Sequence, residues 1–339
     1  MRTIPICMFP TKVILIDDDL SSLKDLELNL DDSRFTYQFY NNPQQALTAL
    51  TKNYQPDSFA KRLISQPDET KWQHAMLDVN IYDLMNEIYN PKRFESISTV
   101  VVDFTMPGMN GLEICEKITD PSLQKILLTG EADENLAVQA FNKGLIHRYI
   151  KKQDPNVFKI LNQSLKDAQR TYFSKVSQLM LDVATFNTKK TCLRDPVFIE
   201  FFEKLLQEKN IIEYYLFEIT GNFLLLDENG TAYGLFIYDK DQLNMWHEDL
   251  PESESVPPQL LKELKSHKTM ICFHDKNSIS IPAGAQWAKY SYPLHILQGS
   301  HETYYYAFAK NMVDIELGDI STFQNYKKEY QQNSFPKSF

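Results

Sequence analysis

The chain has 339 residues, 43% of them hydrophobic and 24% charged, with a formal net charge of −10. That length suits two domains of roughly 100–200 residues. Acid still exceeds base after residue 170, and Lys/Arg runs there are no longer than pairs such as Lys189-Lys190, so a duplex-binding face is not expected. No apolar run nears the roughly 18 residues of a membrane-spanning helix, and the four cysteines, Cys7, Cys115, Cys192 and Cys272, form no CxxC pair. These features predict a cytoplasmic protein without a disulfide framework or a structural zinc site.

Residues 12–17 (KVILID) form an unbroken apolar run that ends in acid, the pattern of a strand buried on both faces. Leu23, Leu26 and Leu30 follow at helical spacing, FTYQFY at 35–40 reads as a second strand, and Asn42-Pro43 opens a second helix. TVVVD at 99–103, KILLT at 125–129 and HRYIKK at 147–152 are further strands, with helices expected at about 111–118 and 132–143. This alternation predicts an open, doubly wound parallel sheet of five strands. In such sheets ligands bind beyond the carboxyl ends of the strands. The polar residues converging there are Asp17, Asp18, Asp103, Thr129 and Lys152, a set suited to Mg²⁺ beside a phosphate.

The segments ILIDDD, VVVDFTMPGMNGLE, ILLTGEA and RYIKK, in that order, resemble the receiver domain of response regulators. The resemblance implies roles for individual residues. Asp103 is the phosphoacceptor and Asp18 a direct Mg²⁺ ligand. Asp17 holds the ion more loosely or through water, and the Thr105 backbone carbonyl is a further ligand. Lys152 pairs with the phosphoryl group and Asp103, Thr129 bonds a phosphoryl oxygen, and Tyr149 is the aromatic switch. Lys151 and Lys152 point to opposite faces of a strand, and either could be the active-site lysine. The spacing from Gly144 favours Lys151, and that from Tyr149 favours Lys152, which is the choice made here. ILIDDDL with ILLTG also resembles haloacid dehalogenase-type phosphatases, with Asp17 and Asp19 as the acids. That reading has Ser21 where a later threonine or valine belongs and leaves DFTMPGMNG unexplained.

Asp18 and Asp103 are separated by about twice the usual receiver spacing. The excess falls at about 52–97 as a helical insertion carrying Ile81, Leu84, Met85 and Ile88, flanked by Trp72 and Phe94. The receiver is thus expected to span 1–153. A linker helix follows at 154–187, started by Asp154-Pro155, with Leu161, Leu165, Ala168, Tyr172, Val176, Leu179 and Val183 on one stripe. Two copies of that stripe could bury each other in a dimer, or the second domain could cover it.

Residues 188–330 read as an α+β output domain, PAS- or GAF-like in outline, followed by a tail at 331–339. It opens with an aromatic helix after Asp195-Pro196 and has strands at 212–219, 222–227, 232–238, 269–274, 288–297 and 302–309. No helix-turn-helix, P-loop or cyclic-dinucleotide signature is present. The layout as a whole resembles quorum-sensing response regulators of the LqsR type. It implies a signalling switch rather than an enzyme. A sensor histidine kinase or phosphotransfer protein would phosphorylate it, and phosphorylation would favour a homodimer. The alternative is a transcription regulator or an enzyme with an unrecognised output domain under receiver control.

Overall fold

The computed structural model describes residues 3–53, 81–130, 134–185, 192–217, 221–249, 257–272, 287–310 and 320–334. The chain divides into two compact units. One comprises Phe9–Asp78 and Lys92–Leu179, the other Met1–Met8, Val79–Pro91 and Met180–Phe339.

The first unit is built on five parallel strands: β1 (Thr11–Ile16), β2 (Phe35–Tyr40), β3 (Ile97–Asp103), β4 (Gln124–Thr129) and β5 (Arg148–Lys151). Their order in the sheet is β2-β1-β3-β4-β5. Its helices are α1 (Leu20–Asn29), α2 (Pro43–Asn53), α3 (Gly111–Lys117), α4 (Glu134–Asn142) and α5 (Val157–Thr185). The apolar strands serve two cores at once. Ile14, Ile16, Val100, Val102 and Leu127 pack with α2, α3 and α4 on one face. Val13, Leu15, Val101, Ile126, Leu128 and Ile150 pack with α1 and α5 on the other. This is the receiver fold expected from the sequence.

Helix α5 corrects one expectation. Leu161, Leu165, Ala168, Tyr172 and Val176, the stripe expected to be covered by a second copy or by the second domain, are buried within the single chain. Leu161, Leu165 and Ala168 join the second core. Further along, Phe173 meets Phe9 edge to face at 4.7 Å, and Gln169 Nε2 donates to the Phe9 carbonyl at 3.0 Å. The residues just before β1 therefore cover the part of the helix that looked surplus to a receiver. The side chains of Leu179 and Val183 lie outside the described residues.

The second unit contains α6 (Pro196–Glu208), β6 (Ile211–Leu216), β7 (Phe223–Asp227), β8 (Ala232–Tyr238), α7 (Lys240–Asp249), α8 (Pro258–Lys265), β9 (Thr269–Ile271), β10 (Ser291–Pro293), β11 (His295–Gln298), β12 (Thr303–Lys310) and α9 (Phe323–Ser334). Asp195 caps α6 as expected, accepting from the Val197 and Phe198 N–H groups. Phe202 then packs on Tyr214 and Phe223, and Phe198 on Tyr304. The main sheet is antiparallel, in the order β6-β7-β8-β12-β11. Its β6 edge is extended by a two-residue strand, Cys7–Met8. The short helix Ile81–Asn86 also packs on β6, with Leu84 and Met85 buried.

These compact units do not coincide with the spans 1–153, 154–187 and 188–330. Both the chain's start and the end of the insertion group with the C-terminal segment. Trp72 and the rest of 54–80 lie outside the described residues. The single strand expected at 288–297 is two, β10 and β11, interrupted at Leu294 and paired to different partners. Residues 331–334, assigned to a tail, continue α9, and α7 was not anticipated. No helix among the described residues is long and apolar enough to cross a membrane.

A half-buried histidine directly precedes β5. His147 Nδ1 accepts the Lys125 N–H at 3.0 Å, and Nε2 lies 3.0 Å from Lys175 Nζ. Burial, with Lys175 and Lys125 adding to it, pushes the imidazole pKa down to about 4. The unfolded chain therefore takes up this proton near pH 6.5 while the folded chain does not. The stability contribution is present above pH 6.5 and is lost as pH falls toward 4. Urea unfolding at pH 7 and pH 5 should show the wild type losing about 1 kcal/mol more than His147→Asn, a figure discounted for partial solvent exposure. Equal losses would remove His147 as the cause.

Candidate functional site

The parallel register brings the expected residues to one edge. Asp103 ends β3 opposite Leu128, Thr129 ends β4 opposite Lys151, and Asp17 and Asp18 directly follow β1. One carboxylate oxygen from each of Asp17, Asp18 and Asp103 lies within 4.8 Å of the others. Asp17 and Asp103 are buried and Asp18 is exposed.

Lys152 sits between two of these acids. Its Nζ lies 2.8 Å from Asp17 Oδ2 and 2.8 Å from Asp103 Oδ1. Lys151 turns the other way and pairs with Glu134 on α4 at 2.9 Å. The geometry thus separates the two lysines that spacing left open. Burial works against the Lys152 ammonium, but hydrogen bonds to Asp103 and Asp17 and their charges outweigh it and raise its pKa above the ordinary lysine value. Burial pushes the Asp103 carboxyl above the usual carboxylate range, against the pull of Lys152.

The acceptor loop takes its shape from its glycines. Gly108 has φ +79°, and a Cβ on Gly111 would collide with the Asp103 carbonyl oxygen. Gly111 N–H instead closes on the Phe104 carbonyl at 2.9 Å. Asn110 then caps α3 by accepting the Glu113 N–H, while its own amide donates to Glu113 Oε1. Thr105 is exposed in this loop, two residues beyond Asp103. The Thr129 hydroxyl is buried and donates to the Gly130 carbonyl at 3.0 Å. Tyr149 is half-buried against the core that includes α3 and α4.

Two residues near the acids have roles the motif did not reveal. Asp19, an acid in the phosphatase reading, caps α1 by accepting from the Ser21 N–H at 2.9 Å. Ser22 Oγ donates to Asp17 Oδ2 at 2.8 Å. The only sequence signal for Ser22 is a hydroxyl in the first turn after the acidic triplet. The donor set fits a small, hard divalent cation: three carboxylates converge, and a lysine offsets part of their charge. Asp17 already accepts from Asp19 N–H, Ser22 and Lys152, so its remaining capacity suits a water-mediated role.

The family model for the response regulator receiver domain matches residues 70–161. That span holds Asp103, Thr129 and Lys152 but begins inside the insertion, after Asp17 and Asp18. The solved structure of the Legionella pneumophila response regulator LqsR is 31% identical, with a TM-score of 0.79 over 98% of each chain. An adenylate cyclase structure from Rhodopirellula baltica is 23% identical over 51% of this chain and 97% of that one, with a TM-score of 0.36. A response regulator receiver domain from Clostridium thermocellum is 20% identical over 50% of this chain and 99% of that one, with a TM-score of 0.33. Among curated proteins, none matches.

Exchanging each lysine for methionine tests the geometric assignment. Lys152→Met leaves Asp17 and Asp103 facing each other and is expected to cost about 1–2 kcal/mol of stability, lowered from a fully buried pair for its partial exposure. Lys151→Met should cost less than about 0.5 kcal/mol. Equal unfolding midpoints in urea for the two variants would contradict the assignment.

Proposed function

Because the chain belongs to the response regulator family, with its likeness to LqsR running from end to end, we propose that Asp103 accepts a phosphoryl group from a sensor histidine kinase or phosphotransfer protein. The observation that carries this reading is the Lys152 ammonium shared by Asp17 and Asp103 at the edge of the sheet. An Asp103 oxygen attacks the phosphorus of a phosphohistidine. The P–N bond breaks, its electron pair returns to the imidazole, and an acyl phosphate remains on Asp103. Lys152 offsets the new dianion. Mg²⁺, held by Asp18, Asp103 and the Thr105 carbonyl, with Asp17 acting through water, would draw charge from the transferring group.

Phosphorylation adds three acceptor oxygens, and the Thr129 hydroxyl leaves the Gly130 carbonyl for one of them. Tyr149 then turns toward the space vacated, which alters the face formed by α4 and β5. The protein acts as a switch rather than as an enzyme in its own right. Its acidic second half supports a protein-directed output over duplex DNA. The four cysteines are buried and none forms a disulfide, which agrees with a cytoplasmic setting.

With Leu161, Leu165, Ala168, Tyr172 and Val176 buried, α4 offers a surface for a phosphorylation-favoured homodimer, with Leu136 and Phe141 each 48% exposed. Symmetric pairing would remove both from water. Light scattering with beryllofluoride should show a dimer for the wild type and a monomer for Leu136→Glu/Phe141→Glu. A wild-type monomer with and without the mimic would reject this dimer.

Phosphotransfer itself is tested with Asp103→Asn, incubated with a small phosphodonor and Mg²⁺. The wild type should gain one acid-stable, base-labile phosphoryl group by mass, and the variant none. Labelling of the variant at the wild-type rate would reject Asp103 as acceptor.

A further inference from the structure

Asp17 is held by three donors from the protein. Its Oδ1 accepts the Asp19 N–H at 2.9 Å. Its Oδ2 accepts both Ser22 Oγ and Lys152 Nζ, each at 2.8 Å. A carboxylate offers about four lone-pair sites, so Oδ2 is saturated by these two donors. Asp17 is only 1% exposed, so bulk solvent does not readily replace a donor that departs from Oδ2, while Oδ1 keeps a site for a metal-bound water.

Lys152 is the donor that must depart. Its ammonium is divided between Asp17 Oδ2 and Asp103 Oδ1. Once Asp103 carries a phosphoryl group, the new dianion lies beyond the Asp103 oxygen and draws the ammonium toward it. Every step Lys152 takes that way loosens its bond to Asp17. With no second donor, a buried carboxylate oxygen would be stripped, and that penalty would hold Lys152 back.

Ser22 is placed to prevent this. It lies in the first turn of α1, whose start is fixed by the Asp19 cap and does not depend on Lys152. We propose that Ser22 is a positioning residue. Its hydroxyl keeps Asp17 Oδ2 hydrogen-bonded when Lys152 transfers to the phosphoryl group, and so lowers the cost of forming the phosphorylated state. This inference rests on the phosphoacceptor reading of Asp103.

The test compares beryllofluoride binding, followed by fluorine NMR with Mg²⁺ present, against Mg²⁺ binding alone, followed by calorimetry. Ser22→Ala should weaken beryllofluoride binding about tenfold, the loss of one hydrogen bond to a charged group, and should change the Mg²⁺ dissociation constant less than about twofold. Ser22→Cys, with its weak donor, should behave like Ser22→Ala and serves if the alanine variant does not fold. Ser22→Thr keeps the hydroxyl and should restore beryllofluoride binding. Unchanged beryllofluoride binding in Ser22→Ala would overturn the proposal. So would parallel losses of beryllofluoride and Mg²⁺ binding, which would mean that Asp17 is merely displaced, or a failure of threonine to rescue. A wild-type protein that binds no beryllofluoride with Mg²⁺ would instead remove the phosphoacceptor reading, and this inference with it.

Discussion

Carboxylates gathered at one edge of a parallel sheet repel each other, and Lys152 is the cation that offsets the repulsion between the two buried ones. Asp17 and Asp103 offer oxygens within 4.8 Å of each other. At that separation two unit charges repel by on the order of 3 kcal/mol, taking an effective dielectric of about 20. The position of the ammonium is set by backbone register. Lys151 is the last residue of β5, paired opposite Thr129, and the Lys152 N–H closes on the Thr129 carbonyl at 3.0 Å. A slip of one residue would place Lys151 at the acids and turn Lys152 toward Glu134.

The same dependence on backbone runs through the acceptor loop. Asp103 ends a strand buried on both faces, and the chain must then reverse tightly enough to start α3. Gly108 supplies the left-handed turn, and Gly111 allows the backbone to approach the Asp103 carbonyl. Asn110, the residue before Gly111, fixes the helix start. The acidic cluster and the loop are therefore one construction, which is why the DFTMPGMNG segment carried more information than any single acid.

The parts of this design that were legible in the sequence are those with short-range causes. VILI and TVVVD announced strands buried on both faces because both faces are in fact covered. The acids, Thr129 and Lys152 were legible as residues that close such strands. The α5 stripe was legible as apolar, but periodicity does not say what covers a stripe. The helix also meets Phe9 through Phe173, more than 150 residues away in the chain and ahead of β1. Ser22 was hidden for a related reason: a serine in a first turn is ordinary, and only the hydrogen bond to Asp17 distinguishes it. Strand β10 was merged with β11 because both are β-prone; the break at Leu294 follows from their pairing with different strands.

The strands of the second unit were legible, but nothing in the sequence signalled that two upstream pieces group with them. A strand of two residues, Cys7–Met8, is too short to register as a pattern, yet it pairs with β6 opposite Tyr215 and Tyr214. The helix Ile81–Asn86 was expected as part of an insertion within the receiver, but it packs on the same β6. Both pieces lie just upstream of the strands that carry the acids, β1 and β3. Residues 188–339 by themselves thus lack the strand that closes one edge of their own sheet and a helix that packs beside it. With those pieces removed, β6, buried at five of its six positions, becomes an open edge of apolar and aromatic residues, the kind that pairs with other chains.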